Sequence, residues 1–308
     1  MNMAIETKGL TKFYGDARGI VDLDLSVQEG EVFGFLGPNG AGKSTTIRLL
    51  LNFLKPTRGS ALVLGLDIER DSVAIRRKCG VLPGDLALYD NMTGRECLTY
   101  FGNLRRLDVT ARMKELAARL DLDLDRRIRD LSTGNRQKVG LVNAFMHDPA
   151  LLILDEPTSG LDPLLQQEFL AIVREANEAG RTVFLSSHIL AEVDRITDRV
   201  AIVRDGKLVA VDTVEAFKAK ARKTVTIQFR RPVAPDAFEA LAPVVSVEAR
   251  HENTVVALRT VGSIDAVIKL AADSEVVSIS ATEGALEEAF LTYYASDSNV
   301  ATSDDPDS

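Results

Sequence analysis

A glycine-rich segment, GPNGAGKST, lies between a short apolar run and an amphipathic one. It matches the pattern G-x-x-x-x-G-K-[ST] at Gly37, Gly42, Lys43 and Ser44. Glycine lets backbone N–H groups approach a phosphate that larger side chains would keep away. The start of the following helix would direct unpaired N–H groups and its positive dipole end at the same phosphates. The segment therefore predicts a site for a nucleoside triphosphate.

Two side chains of this segment are expected to act on the phosphates. Lys43 would place a positive charge at the β- and γ-phosphates, and the Ser44 hydroxyl would ligate Mg²⁺. A chance match would be a glycine turn that binds nothing, but the apolar strand before it and the helix after it argue against chance. The residues predicted to hold the nucleotide here are Gly37, Pro38, Asn39, Gly40, Ala41, Gly42, Lys43, Ser44 and Thr45.

A second set of polar residues follows two other apolar runs. In LLILDEP, Asp155 and Glu156 come at the end of a predicted buried strand, the edge where open α/β sheets bind ligands. Asp155 suits Mg²⁺ coordination, directly or through a water, and Glu156 suits a base that polarises the attacking water. The alternative is an acidic pair that caps a helix. In TVFLSSHIL, a lone His188 would more often be a surface or core residue, but its place after a strand favours contact with the γ-phosphate or the water. The predicted catalytic residues are Lys43, Glu156 and His188.

The elements that must position these residues predict an α/β fold. Near-continuous apolar strands alternate with amphipathic segments, which is typical of a largely parallel sheet with both faces covered. Strand patterns are missing from about 85–130, which predicts an inserted helical subdomain. We predict a nucleotide-binding domain over residues 1–218, a small α+β domain of ferredoxin-like type over 219–296, and a disordered acidic tail over 297–308.

Composition limits the function of this chain. The 308 residues are 45% hydrophobic and carry a formal net charge of −8. An acidic balance without a concentrated basic face argues against nucleic acid as a partner. No apolar run reaches the roughly 18 residues that would span a bilayer, and no secretory signal is recognised. We therefore expect a folded protein whose partners are not nucleic acids.

The segment LSTGNRQK, followed by HDPALLILDEPTSGLDP, resembles the signature region of the ATP-binding subunit of an ABC transporter. The resemblance covers roughly the first 215 residues. It implies ATP and Mg²⁺ as cofactors, and a dimer in which the signature of one subunit covers the ATP of the other. The second subunit would be another copy of this chain or a homologous ATPase subunit. The signature and inter-site residues that the resemblance implies are Ser132, Gly134, Asn135 and Asp162. It also implies that Tyr14 stacks on adenine, with Phe13 as a competitor and a core position as the alternative.

Three departures from the family pattern matter. Thr133 and Asn135 replace the usual glycine and glutamine of the signature, although polar contacts are still available. Gly84 stands where the family has a glutamine or glutamate that helps to position Mg²⁺, and neighbouring Asp85 is a candidate substitute. The third departure is the added C-terminal domain. Its predicted last helix, EGALEEAFLTYY, resembles the ATPases of ABC-2 type exporters of drugs and antibiotics.

The leading hypothesis is therefore an ATP-hydrolysing motor that docks on integral membrane permease subunits, at the cytoplasmic face of the membrane. One alternative is an ABC ATPase that acts on nucleic acid. The compact helical insert, the single cassette and the acidic charge disfavour it. The other alternative is a nucleotide-binding regulator that has lost catalysis. Intact Lys43, Asp155, Glu156 and His188 disfavour this alternative, while Gly84 keeps it open.

Overall fold

The computed structural model of the chain describes residues 2–220 and 222–282. The chain divides into two compact units between Val211 and Asp212, and each unit is described by itself. The predicted tail, 297–308, and the predicted helix in EGALEEAFLTYY lie outside the described residues.

Strands and helices alternate along most of the first unit. Its strands are β1 (Met3–Tyr14), β2 (Ala17–Gln28), β3 (Val32–Leu36), β4 (Arg58–Val63), β5 (Leu66–Asp67), β6 (Cys79–Leu82), β7 (Leu151–Asp155), β8 (Thr182–Ser187), β9 (Arg199–Arg204) and β10 (Lys207–Thr213). Its helices are α1 (Lys43–Leu50), α2 (Ser72–Lys78), α3 (Gly94–Arg105), α4 (Thr110–Arg119), a 3₁₀ turn (Ile128–Asp130), α5 (Thr133–Phe145), α6 (Pro163–Glu178) and α7 (Leu190–Val193).

A six-stranded sheet, in the order β10-β9-β3-β8-β7-β6, is the scaffold of the first unit. Its five strands from β9 to β6 pair in parallel, as the sequence predicted. Every residue of β3, β7 and β8 is buried, because both faces of these central strands are covered. Leu36 pairs with Ser187 and Asp155 pairs with Ser186, so the carboxyl ends of three strands meet at one edge.

A second sheet was not separated by the sequence patterns. It is antiparallel, in the order β2-β1-β4-β5, and packs apolar residues of β1 and β2 into the same core as β3. Its strand β2 alternates buried and exposed residues from Leu23 to Val27, which is typical of a half-exposed antiparallel strand and not of a parallel one. The prediction of one largely parallel sheet was therefore incomplete for the N-terminal region.

Residues 83–150, all of which are described, contain helices, turns and one isolated β-bridge but no strand. Helix α3 begins with a capping box in which Thr93 and Glu96 satisfy each other's backbone N–H groups. Arg119 on α4 contacts Glu168 and Glu175 on α6, with the Glu175 contact bidentate. These contacts join the helical insert to the sheet-bearing part of the unit.

The described part of the second unit has the order α8 (Val214–Lys220), β11 (Arg222–Phe229), α9 (Asp236–Glu239), β12 (Val244–Arg250), β13 (Val255–Val261), α10 (Asp265–Ala272) and β14 (Val276–Thr282). From β11 onward, the order is β-α-β-β-α-β, and the sheet order is β12-β13-β11-β14 with antiparallel neighbours. This is the predicted ferredoxin-like arrangement. Its core holds Val225, Ile227, Phe229, Phe238, Val256, Leu258, Val267 and Ala271. Over the two described ranges, the structure contains no helix long and apolar enough to cross a membrane.

Candidate functional site

The glycine loop joins β3 to α1 and can form only with glycine at two positions. Gly42 precedes α1 with a φ of 104°, and a Cβ there would lie 2.6 Å from Cγ2 of Ile20. A Cβ on Gly37 would lie 2.3 Å from the carbonyl oxygen of Val203. At Gly42, a side chain would meet both an unfavourable positive φ and a clash. At Gly37, it would clash with a backbone atom, which cannot move aside as a side chain can. The loop is therefore fixed tightly against the neighbouring strands β2 and β9.

A cavity of about 240 Å³ opens at this loop. Its lining contains most of the predicted nucleotide contacts, but Gly37 and Ala41 lie behind the loop surface. Sequence analysis missed Arg18 and Gly19, which lie on the neighbouring strand β2 and belong to no recognised motif. The lining residues are Tyr14, Arg18, Gly19, Pro38, Asn39, Gly40, Gly42, Lys43, Ser44, Thr45 and Glu156.

Lys43 lies at the centre of this arrangement. Its side chain is buried, with 6% exposure. Its Nζ donates to the carbonyl oxygens of Gly37, at 2.7 Å, and Pro38, at 3.2 Å, and lies 3.2 Å from Oε1 of Glu156. The ammonium group is thus held between the loop and the carboxylate at the end of β7. A group with three donors in this position can exchange its contacts with protein oxygens for contacts with phosphate oxygens.

Ser186 connects the two predicted acidic residues. Its buried hydroxyl donates to Oδ1 of Asp155, at 2.5 Å, and accepts from the backbone N–H of Glu156, at 3.1 Å. Asp155 is itself buried, with 3% exposure. One hydroxyl therefore orients the Asp155 carboxylate and fixes the backbone that carries Glu156. Sequence analysis missed Ser186 because a serine in a strand is common, and only the β7–β8 register places it here.

Glu156 has a left-handed backbone, with a φ of 50°, which is uncommon for a residue other than glycine. This conformation directs its side chain back over the sheet edge. One carboxylate oxygen lies 3.2 Å from Lys43 Nζ, and the other lies 2.7 Å from Nδ1 of His188. The structure thus brings together Lys43, Glu156 and His188, which three separate motifs supplied. His188 is half-exposed, so its ring is accessible from the solvent side.

Gly84 lies directly beside Asp155. A Cβ on Gly84 would lie 2.9 Å from Oδ2 of Asp155, so the absence of a side chain makes room for that carboxylate. The neighbouring Asp85 pairs with Arg48 on α1: its carboxylate lies 2.5 Å from Nη2 of Arg48 and is 88% exposed. Gly84, Asp85 and Asp155 all line a neighbouring cavity.

Tyr14 is 44% exposed and is no core residue. Its ring borders the cavity beside Gly19, and its hydroxyl lies 3.4 Å from Oγ1 of Thr45. Phe13, the competing candidate for base stacking, does not line the cavity.

The signature residues lie away from this cavity. Ser132 caps the start of α5 by accepting from the backbone N–H of Asn135, at 3.3 Å. Gly134 lies against the backbone of Gly160, where a Cβ would come within 2.5 Å of the carbonyl oxygen. Asp162 caps α6 by accepting from two backbone N–H groups. None of Ser132, Gly134, Asn135 and Asp162 lines the cavity of this chain.

A further contact joins the signature helix to the acidic residues. Gln137 on α5 donates its side-chain amide to the carbonyl oxygens of Glu156 and Pro157, each at 3.3 Å. Sequence analysis did not single out Gln137, since its partners are backbone atoms with no sequence pattern of their own.

Comparison with known proteins supports one family. The family model described as ABC transporter matches residues 20–159. The bacitracin transport ATP-binding protein of Bacillus licheniformis is 36% identical over 231 residues, which are 74% of this chain and 76% of the relative. A daunorubicin resistance ATP-binding protein of Streptomyces coeruleorubidus is 34% identical over 308 residues, covering 96% of this chain and 98% of the relative. A solved ATP-binding subunit of an ABC transporter is 31% identical, with a TM-score of 0.66, and the match covers 70% of this chain and 92% of the solved one. The chain therefore belongs to the ATP-binding subunits of ABC transporters.

Proposed function

We propose that this chain hydrolyses ATP, with Mg²⁺, to drive the export of drugs or antibiotics through separate membrane permease subunits. The observation that carries the proposal is the position of Glu156, whose carboxylate contacts Lys43 of the phosphate-binding loop and His188 at the same sheet edge. The substrate class is supported by two relatives, named for bacitracin transport and daunorubicin resistance, one of which matches nearly the whole chain.

In this proposal, the residues of the chain divide the work. The loop N–H groups and Lys43 bind the phosphates and neutralise their charge. Glu156 acts as the general base for the attacking water, and His188, in contact with Glu156, orients that water and the γ-phosphate. Tyr14 stacks on the adenine at the other end of the cavity. Asp155 and Lys43 are buried, which strengthens the charge interactions of each.

The donors at this edge fit Mg²⁺. Among the described residues, no group of three or more histidine, cysteine or acidic side chains is placed to hold a metal. Mg²⁺ in nucleotide sites uses one or two protein oxygens together with phosphate oxygens, so it needs no such group. Ser44, in the cavity wall, and Asp155, oriented by Ser186, are the residues that would hold it. When bound, the ion would neutralise charge on the phosphates.

A dimer accounts for the position of the signature. Ser132, Gly134, Asn135 and Asp162 lie outside the cavity of their own chain, and the cavity is open to solvent. In the family arrangement they contact the nucleotide of a second subunit, either another copy of this chain or a homologous ATPase subunit. We place the catalytic part of each subunit in residues 1–218 and an accessory part in residues 219–296.

Turnover by the purified chain tests the proposal. We expect release of inorganic phosphate from ATP that needs Mg²⁺ and stops when the metal is chelated. Affinity purification from detergent-solubilised membranes should recover an integral membrane protein with the chain, which would show its attachment to a membrane subunit. Absence of metal-dependent turnover would exclude the catalytic part of the proposal.

Tyr89 is the residue we choose to test membrane docking. It is 48% exposed and packs edge-on against Tyr100, with ring centroids 5.4 Å apart, on the surface of the helical insert. Exposed aromatic residues of this kind suit a partner surface. We expect Tyr89→Ala to lower partner-stimulated ATP hydrolysis by several-fold while basal hydrolysis and melting temperature stay near the parental values. A clearly lower melting temperature of Tyr89→Ala would instead show that Tyr89 serves packing within the helical insert.

Asp85 is expected to be dispensable for basal hydrolysis. Its carboxylate pairs with Arg48 at the surface, and an exposed ion pair typically contributes about 0–1 kcal/mol. We therefore expect Asp85→Ala to keep basal turnover and its Mg²⁺ dependence within about 5-fold of the parent, the largest rate effect that about 1 kcal/mol allows. A raised Mg²⁺ requirement in Asp85→Ala would show that Asp85 takes over the task of the missing glutamine at Gly84.

A further inference from the structure

Thr158 lies two residues after Glu156, in the segment that leads to Asp162 and α6. It is buried, with 4% exposure, and its hydroxyl donates to Oε2 of Glu192 at 2.5 Å. Glu192 belongs to α7, four residues after His188. This contact therefore joins the segment that follows Glu156 to the segment that follows His188, independently of the Glu156–His188 contact itself.

Glu192 lies in a costly position for a carboxylate. Burial raises its pKa, and the negative charge of Glu156 adds to this, whereas the hydrogen bond from Thr158 and the nearby His188 and Arg195 lower it. A half-buried carboxylate close to another carboxylate is stable only with compensating contacts. The short bond from Thr158 is of the strong, charge-assisted kind. The energetic cost of the position suggests that the contact serves more than packing.

The backbone between Glu156 and Asp162 is held from several sides. The N–H of Ser159 donates to the carbonyl oxygen of Glu156, at 3.2 Å. The N–H of Leu161 donates to the carbonyl oxygen of Thr158, at 3.1 Å. Gln137 binds the carbonyl of Glu156 from α5. The Thr158–Glu192 bond adds a tie from α7. A shift of Thr158 would therefore turn the uncommon left-handed backbone at Glu156, and its carboxylate with it.

We propose that Glu192 is a positioning residue for ATP hydrolysis, which acts by holding Thr158 so that Glu156 stays within reach of His188. The inference rests on the proposed ATPase function. Glu192 itself lies outside the lining of the nucleotide cavity, so its loss is expected to change the rate of hydrolysis and not the binding of ATP.

Paired substitutions at both ends of the bond test the inference. Thr158→Val keeps the shape of the side chain and removes the hydroxyl, while Glu192→Ala removes the acceptor. Each is expected to lower kcat about 10-fold or more, since a hydrogen bond to a charged group is lost, with the Kd of a fluorescent ATP analogue unchanged within about 2-fold. Thr158→Ser and Glu192→Gln keep a donor and an acceptor, so they should restore kcat to within about 3-fold of the parent.

The pH profile separates positioning from packing. In the parent, Glu192 takes up a proton as the pH falls towards its raised pKa, and Thr158 then loses its charged acceptor. In Glu192→Gln the acceptor is uncharged at every pH. We therefore expect the small excess in kcat of the parent over Glu192→Gln to disappear as the pH falls and Glu192 becomes protonated. A ratio of the two kcat values that does not change with pH would overturn the inference.

The double variant Thr158→Val/Glu192→Ala gives the decisive comparison. If the two residues act through one bond, its kcat should be no lower than that of the worse single variant. Losses that multiply would show independent roles and overturn the inference, as would parental kcat in Thr158→Val. A loss of kcat that only follows the folded fraction, measured by circular dichroism, would also overturn it. These results leave the proposed function standing, whereas a parent without turnover removes both.

Discussion

Glu156→Gln is expected to remove most ATP hydrolysis while ATP binding stays close to the parental level. Glutamine has the shape of glutamate but cannot accept the proton of the attacking water, and a general base typically contributes about 10²- to 10⁴-fold in rate. The side chain contacts both Lys43 and His188, so the substitution removes charge at the point where the two meet. Phosphate release measures the rate, and titration with a fluorescent ATP analogue measures binding.

The same substitution has a second expected consequence. With hydrolysis blocked, the ATP-bound dimer should accumulate, and size-exclusion chromatography with and without ATP would detect it. Glu115→Gln is the matched control, because it makes the identical chemical change on an exposed carboxylate that pairs with Arg112 and does not line the nucleotide cavity. Turnover of Glu156→Gln within a few-fold of the parent would mean that another group is the base.

Sequence spacing was enough to predict the sheet edge at which Lys43, Glu156 and His188 meet. Each follows an apolar strand, and parallel strands place their carboxyl ends side by side, so three distant motifs had to converge. Their roles in the reaction remain predictions. The sequence also showed that Gly84 replaces the usual glutamine, but it did not show how this affects the neighbouring carboxylates. Only the structure shows that a Cβ there would press on Asp155 and that Asp85 faces Arg48.

The supporting contacts could not be predicted, for a physical reason. Ser186, Gln137 and Thr158 act through one or two hydrogen bonds each, to partners between 19 and 34 residues away in the chain. Such bonds depend on strand register and helix rotation to within about an ångström, whereas motif patterns report only which elements are present. Likewise, the antiparallel sheet of β1, β2, β4 and β5 was missed, although the alternation of buried and exposed residues in β2 is typical of an antiparallel strand.

Lys43→Ala is expected to weaken nucleotide binding itself. In the structure, the ammonium group is buried and held by the carbonyls of Gly37 and Pro38 and by Glu156, so it is already placed within the phosphate loop. Its charge serves the bound ground state and the transition state alike, which means that its loss raises Kd as well as lowering the rate. A charge-assisted hydrogen bond contributes about 1.5–3 kcal/mol, which corresponds to a rise in Kd of about 10- to 100-fold.

Titration of a fluorescent ATP analogue into Lys43→Ala measures that rise, and Lys8→Ala is the control for loss of one positive charge. Lys8 is an exposed lysine of the same unit, paired with Glu6 and outside the cavity lining, so its removal should leave Kd at the parental value. A melting curve for each variant is needed, because Lys43→Ala also removes the contact between the loop and the Glu156 carboxylate. That carboxylate then keeps its contact with His188. If Lys43→Ala remains folded at the titration temperature, a parental Kd would show that this loop does not hold the phosphates. A raised Kd in Lys43→Ala and not in Lys8→Ala would assign the effect to the position of the charge and not to the net charge of the protein.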